Sequence, residues 1–154
     1  MSVRVNVRAV IWLDGQIVVN RVRRGEMLHV TLPGGRVNER EPVTDALRRE
    51  VREEIGIDVQ VDDLMFAAEV ISGVSRQDVE LVFAAGPIEP IVTPVELVDP
   101  AAPGCVVMPP VLDQILAWRD GSHGVRWLGN IYASGLGSSQ PAAGIHGGQS
   151  TAAS

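Results

Sequence analysis

Three glutamates share one end of a helix-patterned segment, Val43 to Ile55, and two glycines, Gly34 and Gly35, lie just ahead of it. At about 100° per residue, the apolar Val43, Leu47, Val51 and Ile55 fall at roughly 0°, 40°, 80° and 120° around the helix. By the same count Glu50, Glu53 and Glu54 fall at about −20°, −80° and 20°, overlapping or bordering that stripe. Asp45, Arg48 and Arg52 point the opposite way. A charge run usually means a solvated face, but a solvated face belongs opposite the apolar stripe. Two like charges about 4 Å apart repel by about 4 kcal/mol at an effective dielectric of about 20. Three such acids at the edge of a core need a cation or a raised pKa. Arg49, one turn before Glu53, supplies part of the compensation. A divalent ion would supply the rest, and hard oxygen ligands suit Mg²⁺ or Mn²⁺ rather than zinc. Gly34-Gly35 lets the backbone approach an ion or ligand closely, with a carbonyl to offer. Alone, the pair reads as a tight turn between strand and loop; beside the acidic helix it reads as part of a metal-and-phosphate site.

These residues need a frame. Alternation over 3–13 predicts a strand, Asp14-Gly15 a hairpin turn, and 16–22 the partner strand. A short strand over 28–32 runs into Pro33-Gly34-Gly35. The helix is expected over about 42–55, with Pro42 in its first turn and Gly56 as its C-terminal cap. Strands over 59–71 and 79–85 follow, then a Pro-rich irregular stretch over 99–110 and a second helix over 111–119. Residues 134–154 carry no charge unless His146 is protonated, and fourteen of them are Gly, Ser or Ala. That composition buries too little apolar area to offset its ordering entropy, so a flexible tail is expected behind a domain ending at 133. Ile131 and Tyr132, just before the tail, are expected to be docked.

Composition narrows the function. The chain has 154 residues, 45% hydrophobic, which suits one domain with a real core. No apolar run reaches the roughly 20 residues that cross a bilayer, and the N-terminus does not read as a secretory signal. A lone Cys105 forms no internal disulfide, so a cytoplasmic setting is expected. The net charge of −6 disfavours non-specific binding to nucleic acid phosphates. All 13 basic residues are Arg. Schiff-base chemistry and a P-loop lysine are thereby excluded, whereas phosphate recognition by Arg forks is not. His29, His123 and His146 show no ligand spacing.

The segment from Gly35 to Ile57 resembles the signature box of the Nudix hydrolases. That box runs Gly, five residues, Glu, seven residues, Arg-Glu, an aliphatic, one residue, Glu-Glu, one residue, Gly, an aliphatic. Gly35, Glu41, Arg49, Glu50, Val51, Glu53, Glu54, Gly56 and Ile57 fill every specified place. Leu32-Pro33-Gly34 and the order of strands over about 3–90 are similar to the family as well. Relatives often carry Gly just before the first box Glu, where this chain has Arg40; that position bears on loop shape. The resemblance implies an α/β fold, an α/β/α sandwich with a mixed sheet and a loop–helix–loop metal site. It implies Mg²⁺ or Mn²⁺ held by Glu50, Glu53, Glu54 and the Gly35 carbonyl. One carboxylate among Glu50, Glu53 and Glu54, or a Glu from a later loop, would activate water, with Glu50 and Glu53 the catalytic candidates; Arg49 would orient the acids, and Glu41 would brace the loop or hold a metal-bound water. The implied reaction is hydrolysis of the diphosphate linkage in a nucleoside diphosphate derivative; the alternative is a non-catalytic nucleotide-binding regulatory module. Arg21 stands where some relatives bind phosphate, with Arg23 beside it, and Glu80 and Glu96 are further candidate carboxylates. Trp12, Phe83 and Trp127 are the aromatics considered for stacking a base. Many relatives are dimers, so a homodimer is an expectation too.

Overall fold

The computed structural model describes residues 2–24, 27–121, 124 and 126–131. Strands β1 (Val3–Leu13) and β2 (Gln16–Arg24) form the expected hairpin. Asp14 and Gly15 turn it with φ of 49° and 79°, the paired left-handed geometry of a type I′ turn. After β3 (Met27–Thr31) come β4 (Gly34–Arg36), helix α1 (Val43–Ile55), β5 (Val59–Ser72) and β6 (Arg76–Pro87). The chain continues through β7 (Glu96–Val98), β8 (Val107–Met108), α2 (Leu112–Arg119) and β9 (Arg126–Asn130). Among the described residues no helix is long and apolar enough to cross a membrane.

The strands join one mixed sheet in the order β8-β3-β2-β1-β6-β5-β9. β1 organises it. Along one edge β1 runs parallel to β6 from Val3 to Ile11. Its other edge is shared: Asn6 to Arg8 pair with β4, while Trp12 and Leu13 pair with β2. The sheet therefore splits beside β1, and β4 forms one lip of the split.

Alternation along β1 serves a core on each face. Val7, Ala9 and Ile11 pack with Leu47 and Val51 of α1 and with Val18 and Phe83. Val10 packs on the other side with Val82, Met65, Leu32 and Ile115 of α2. The sheet is thus sandwiched between α1 and α2, as the α/β/α expectation holds. Gly56 caps α1 in the left-handed conformation, φ 80°, and donates its N–H to the Arg52 carbonyl. Pro42 lies one place before the helix, where its carbonyl accepts the first helical hydrogen bond from Ala46.

Four short strands depart from the sequence reading. Gly34 and Gly35 do not form a tight turn; they open β4 against β1. The Pro-rich stretch contains β8, whose Val107 and Met108 pair with Val30 and Thr31. β7 pairs with β2, and β9 lies parallel to β5. Each is defined by the backbone of a distant partner rather than by its own side-chain pattern. Ile131 packs on the α2-side core, as expected; Tyr132 and 134–154 lie outside the described residues.

Candidate active site

The box helix meets the lip of the split sheet through its last two turns. Ala9 N–H donates to the Pro33 carbonyl at 2.8 Å and Val37 N–H to the Val5 carbonyl at 2.9 Å, holding the segment between them onto β1. A Cβ on Gly34 would overlap the Val7 carbonyl oxygen, and φ there is 145°, so glycine is required. A Cβ on Gly35 would lie 2.5 Å from Cδ and from Oε2 of Glu50. Glycine at 35 therefore leaves the backbone bare against a carboxylate, a cradle that any side chain would fill.

Glu54 points at the same lip. Its Oε2 accepts hydrogen bonds from the Gly34 N–H at 3.0 Å and from Asn20 Nδ2 at 2.6 Å. Burial pushes its carboxyl above the ordinary value and the nearby charge of Glu50 adds to that. The Gly34 N–H, Arg8 and Asn20 act the other way, and the net displacement is upward. Glu50 and Glu54 thus sit close enough to feel each other's charge.

Arg49 ties the remaining acids together with five hydrogen bonds. It grips Glu41 in bidentate fashion at 2.8 and 3.0 Å, and donates to Glu50 at 2.8 Å, Glu53 at 3.4 Å and the Arg36 carbonyl at 3.0 Å. The Glu41 hydrogen bond first, then that of Glu50, raises its pKa beyond the ordinary arginine value. Glu41 in turn is held at about 2, first by Arg49 and then by the Asn38 N–H. Arg40, the place where relatives often carry Gly, adopts a left-handed φ of 63°, so the loop keeps its turn with an arginine under strain.

The structure brings Gly35, Glu50, Glu54, Arg49 and Glu41 together. Glu53 joins only through Arg49; its side chain is 60% exposed, as befits its place at the margin of the stripe. Among the described residues no three acidic, Cys or His side chains close on a common point. Arg49 draws Glu50 and Glu53 toward itself instead.

Residues outside the box fall elsewhere. Arg21 is exposed and pairs with Glu96 of β7 at 2.9 Å. It lines a cleft of about 500 Å³ with Gln16, Val30, Asp99, Cys105 and their neighbours. By alternation it faces the side opposite Asn20, away from Glu54. The side chain of Arg23 lies outside the described residues, as do those of His29, His123 and His146. Glu80 is only 4% exposed, with its two oxygens taken by Asn6 Nδ2 at 2.8 Å and Arg8 Nε at 3.2 Å, a setting unlike the open strand end that a substrate contact needs. Phe83 is buried in the α1-side core and cannot stack a base, whereas Trp127 is exposed on β9. Asn20, Asn6 and Arg8 escape sequence reasoning. They lie on strands 14 or more residues from the box, and their only local signal is a polar place in an alternating strand.

A glycine lip facing a carboxylate-bearing helix, set in a mixed sheet between two helices, defines a class of protein. Residues 3–100 match the NUDIX domain, and the chain belongs to the Nudix family of pyrophosphohydrolases. Among solved structures it is similar to a MutT Nudix hydrolase from Burkholderia pseudomallei, at 28% identity over 75% of this chain and 99% of that one, with a TM-score of 0.61. The E. coli ORF135 protein shares 24% identity over 77% of this chain and 92% of that one, with a TM-score of 0.58. A UDP-X diphosphatase shares 20% identity over 82% of this chain and 67% of that one, with a TM-score of 0.64. The last two show the fold alone. No curated protein gives a significant match.

Proposed function

We propose that this chain hydrolyses the diphosphate linkage of a nucleoside diphosphate derivative with a divalent cation, Mg²⁺ or Mn²⁺. The observation that carries this reading is the glycine cradle: Gly35 stays bare so that the Glu50 carboxylate can lie against the backbone, one helical turn from Glu54. The donors there are all oxygen, from carboxylates and backbone, which suits a hard ion. Acid charge also outweighs base charge: Glu41, Glu50 and Glu53 share Arg49, and Glu54, held by the Gly34 N–H and Asn20, adds a fourth acid close to Glu50.

Glu50, Glu53, Glu54 and the Gly35 carbonyl would hold the ion, and Glu50 or Glu53 would take the proton from the attacking water. When bound, the ion neutralises charge on the phosphate oxygens and makes water a better nucleophile. Arg49 spaces the acids, because its planar fork fixes Glu50 and Glu53 relative to the loop that Glu41 closes. The Gly34 N–H and Asn20 hold one oxygen of Glu54 and so set the direction of the other. Arg21, which faces away from Glu54, and Arg23 are proposed to contact a part of the substrate remote from the scissile diphosphate, in a cleft that can receive part of a nucleotide.

A panel of ADP-ribose, nucleotide sugars, oxidised nucleoside triphosphates and diadenosine polyphosphates tests the reading, with product analysis in Mg²⁺ and in excess EDTA. Release of a nucleoside monophosphate from at least one substrate, abolished by EDTA, is expected. Undiminished turnover in EDTA after dialysis would overturn it.

A further inference from the structure

Two buried carboxylates stand side by side on β6, and only one of them reaches toward the site. Asp78 is fully buried and pairs with Arg4 at 2.7 Å and Arg76 at 2.7 Å. Neither arginine touches the Leu32–Gly35 segment in any described contact. Glu80, two residues on and facing the same way, engages Asn6 and Arg8. Arg8 continues the chain of contacts: Nη1 donates to the carbonyls of Leu32 and Gly34, both at 3.4 Å. The N–H of that same Gly34 holds Glu54 Oε2. A carboxylate on one side of the sheet is thus linked, through a guanidinium and one glycine residue, to a carboxylate on the other.

The physics of each link favours positioning. A carboxylate this buried is tolerable only when both oxygens are satisfied, and Asn6 and Arg8 do that. Once Glu80 fixes Nε, the planar guanidinium aims Nη1 at the two carbonyls without further ordering cost. The two carbonyl bonds are long, so their direction depends on that anchoring. The β1–β4 pairing holds the backbone of this segment in place, and Arg8 Nη1 adds a side-chain restraint on the carbonyls that flank the Gly34 N–H.

We infer that Glu80 and Asn6 are positioning residues for the Glu54 carboxylate, acting through Arg8 and the backbone of Leu32 to Gly34. This rests on the metal-dependent reading above. Glu80 on this view never meets substrate; it tunes how well the acids hold a cation.

Mn²⁺ binding to the nucleotide-free protein, followed by the EPR signal of free Mn²⁺, tests the inference without reference to turnover. Glu80→Gln should raise the Kd for Mn²⁺ by roughly tenfold, the usual cost of losing a group that orients a ligand. Charge alone could give that result, since Arg8 would be left unneutralised near Glu54. Arg8→Gln separates the two causes: removing a positive charge tightens cation binding if electrostatics rule and weakens it if positioning rules. Weaker binding in Arg8→Gln is expected, and this variant, with a partly exposed side chain, also serves should Glu80→Gln fail to fold. Asp78→Asn should melt lower yet bind Mn²⁺ with unchanged Kd. Unchanged Kd in both Glu80→Gln and Arg8→Gln, or tighter binding in Arg8→Gln, would refute the inference while leaving the proposed function intact. A wild-type protein that binds no Mn²⁺ would overturn both.

Discussion

On the α1 side of the sheet, Glu41, Glu50 and Glu53 gather around one guanidinium, that of Arg49, and Glu54 stands beside Glu50 on the Gly34 N–H and Asn20. On the other side, Asp78 and Glu80 share three, those of Arg4, Arg8 and Arg76. The acids of the second cluster are deeply buried and fully paired: every acid oxygen has a donor and the charge slightly favours the bases. The first is partly open and carries a surplus of negative charge. Burial alone would single out Asp78 and Glu80 as the unusual acids of this chain. Charge balance singles out the box instead. A balanced buried network needs no ion of its own, whereas an unbalanced one at a bare glycine backbone is where the proposed cation would bind.

The largest expected effect falls on the unbalanced cluster. Glu50→Gln or Glu54→Gln should lower kcat at least about a hundredfold, the scale of losing a strong electrostatic contribution to the transition state. A fall in activity no greater than the fraction unfolded, measured beside circular dichroism, would make these acids scaffold and erase the contrast. Next in size, Asp78→Asn should cost about 2 kcal/mol, the scale of a charged hydrogen-bond pair lost from a buried site. For a domain of this size that lowers Tm by roughly 5 °C. Turnover per folded molecule should not change.

The acid limb of stability sharpens the comparison further. Glu41 sits at about 2 instead of 4.5, so its contribution is full above about pH 4.5 and drains away as pH falls toward 2. Asp78 acts in the same sense: burial pushes its carboxyl up, but Arg4 and Arg76 more than offset that, leaving it below the ordinary value. Melting temperature in Glu41→Gln should therefore fall less steeply on acidification than in the wild type. Parallel slopes would show that Arg49 does not hold Glu41 in solution. The smallest effect is expected at Arg40, where a left-handed φ costs an arginine but not a glycine. Arg40→Gly should stabilise the protein by no more than about 1 kcal/mol, part of the relief being lost to the freer unfolded chain. Chemical denaturation would measure it, and a loss of stability would show that the arginine side chain holds the loop.

Much of this was legible in the residues themselves. The β1–β2 hairpin, α1 with its Gly56 cap, and β5 and β6 follow from alternation, helical period and turn chemistry, all local signals. The box acids were legible because one helix places Glu50 and Glu54 on the same side. What stayed hidden is non-local. β4, β7 and β8 have two or three residues each and exist only because another strand offers backbone partners. Asn20 reaches Glu54 from 34 residues away, and Glu80 reaches Arg8 from 72, distances over which no periodicity speaks. Phe83 misled because aromatic character says nothing about which face of a strand is covered. Glu53 is the intermediate case: the helical wheel put it at the margin, and the structure leaves it exposed.

The central claim, that the acids at Gly34-Gly35 are held against their own repulsion for the sake of a cation, is tested most directly by thermal melts. Wild type and Glu54→Gln would be melted after EDTA treatment and dialysis, each with and without Mg²⁺. Metal-free Glu54→Gln should melt level with or above metal-free wild type, because one repelling charge is gone. Mg²⁺ should raise the wild-type Tm and leave the variant nearly unmoved. A wild type indifferent to Mg²⁺, together with a variant that melts lower, would contradict the claim and return Glu54 to the scaffold.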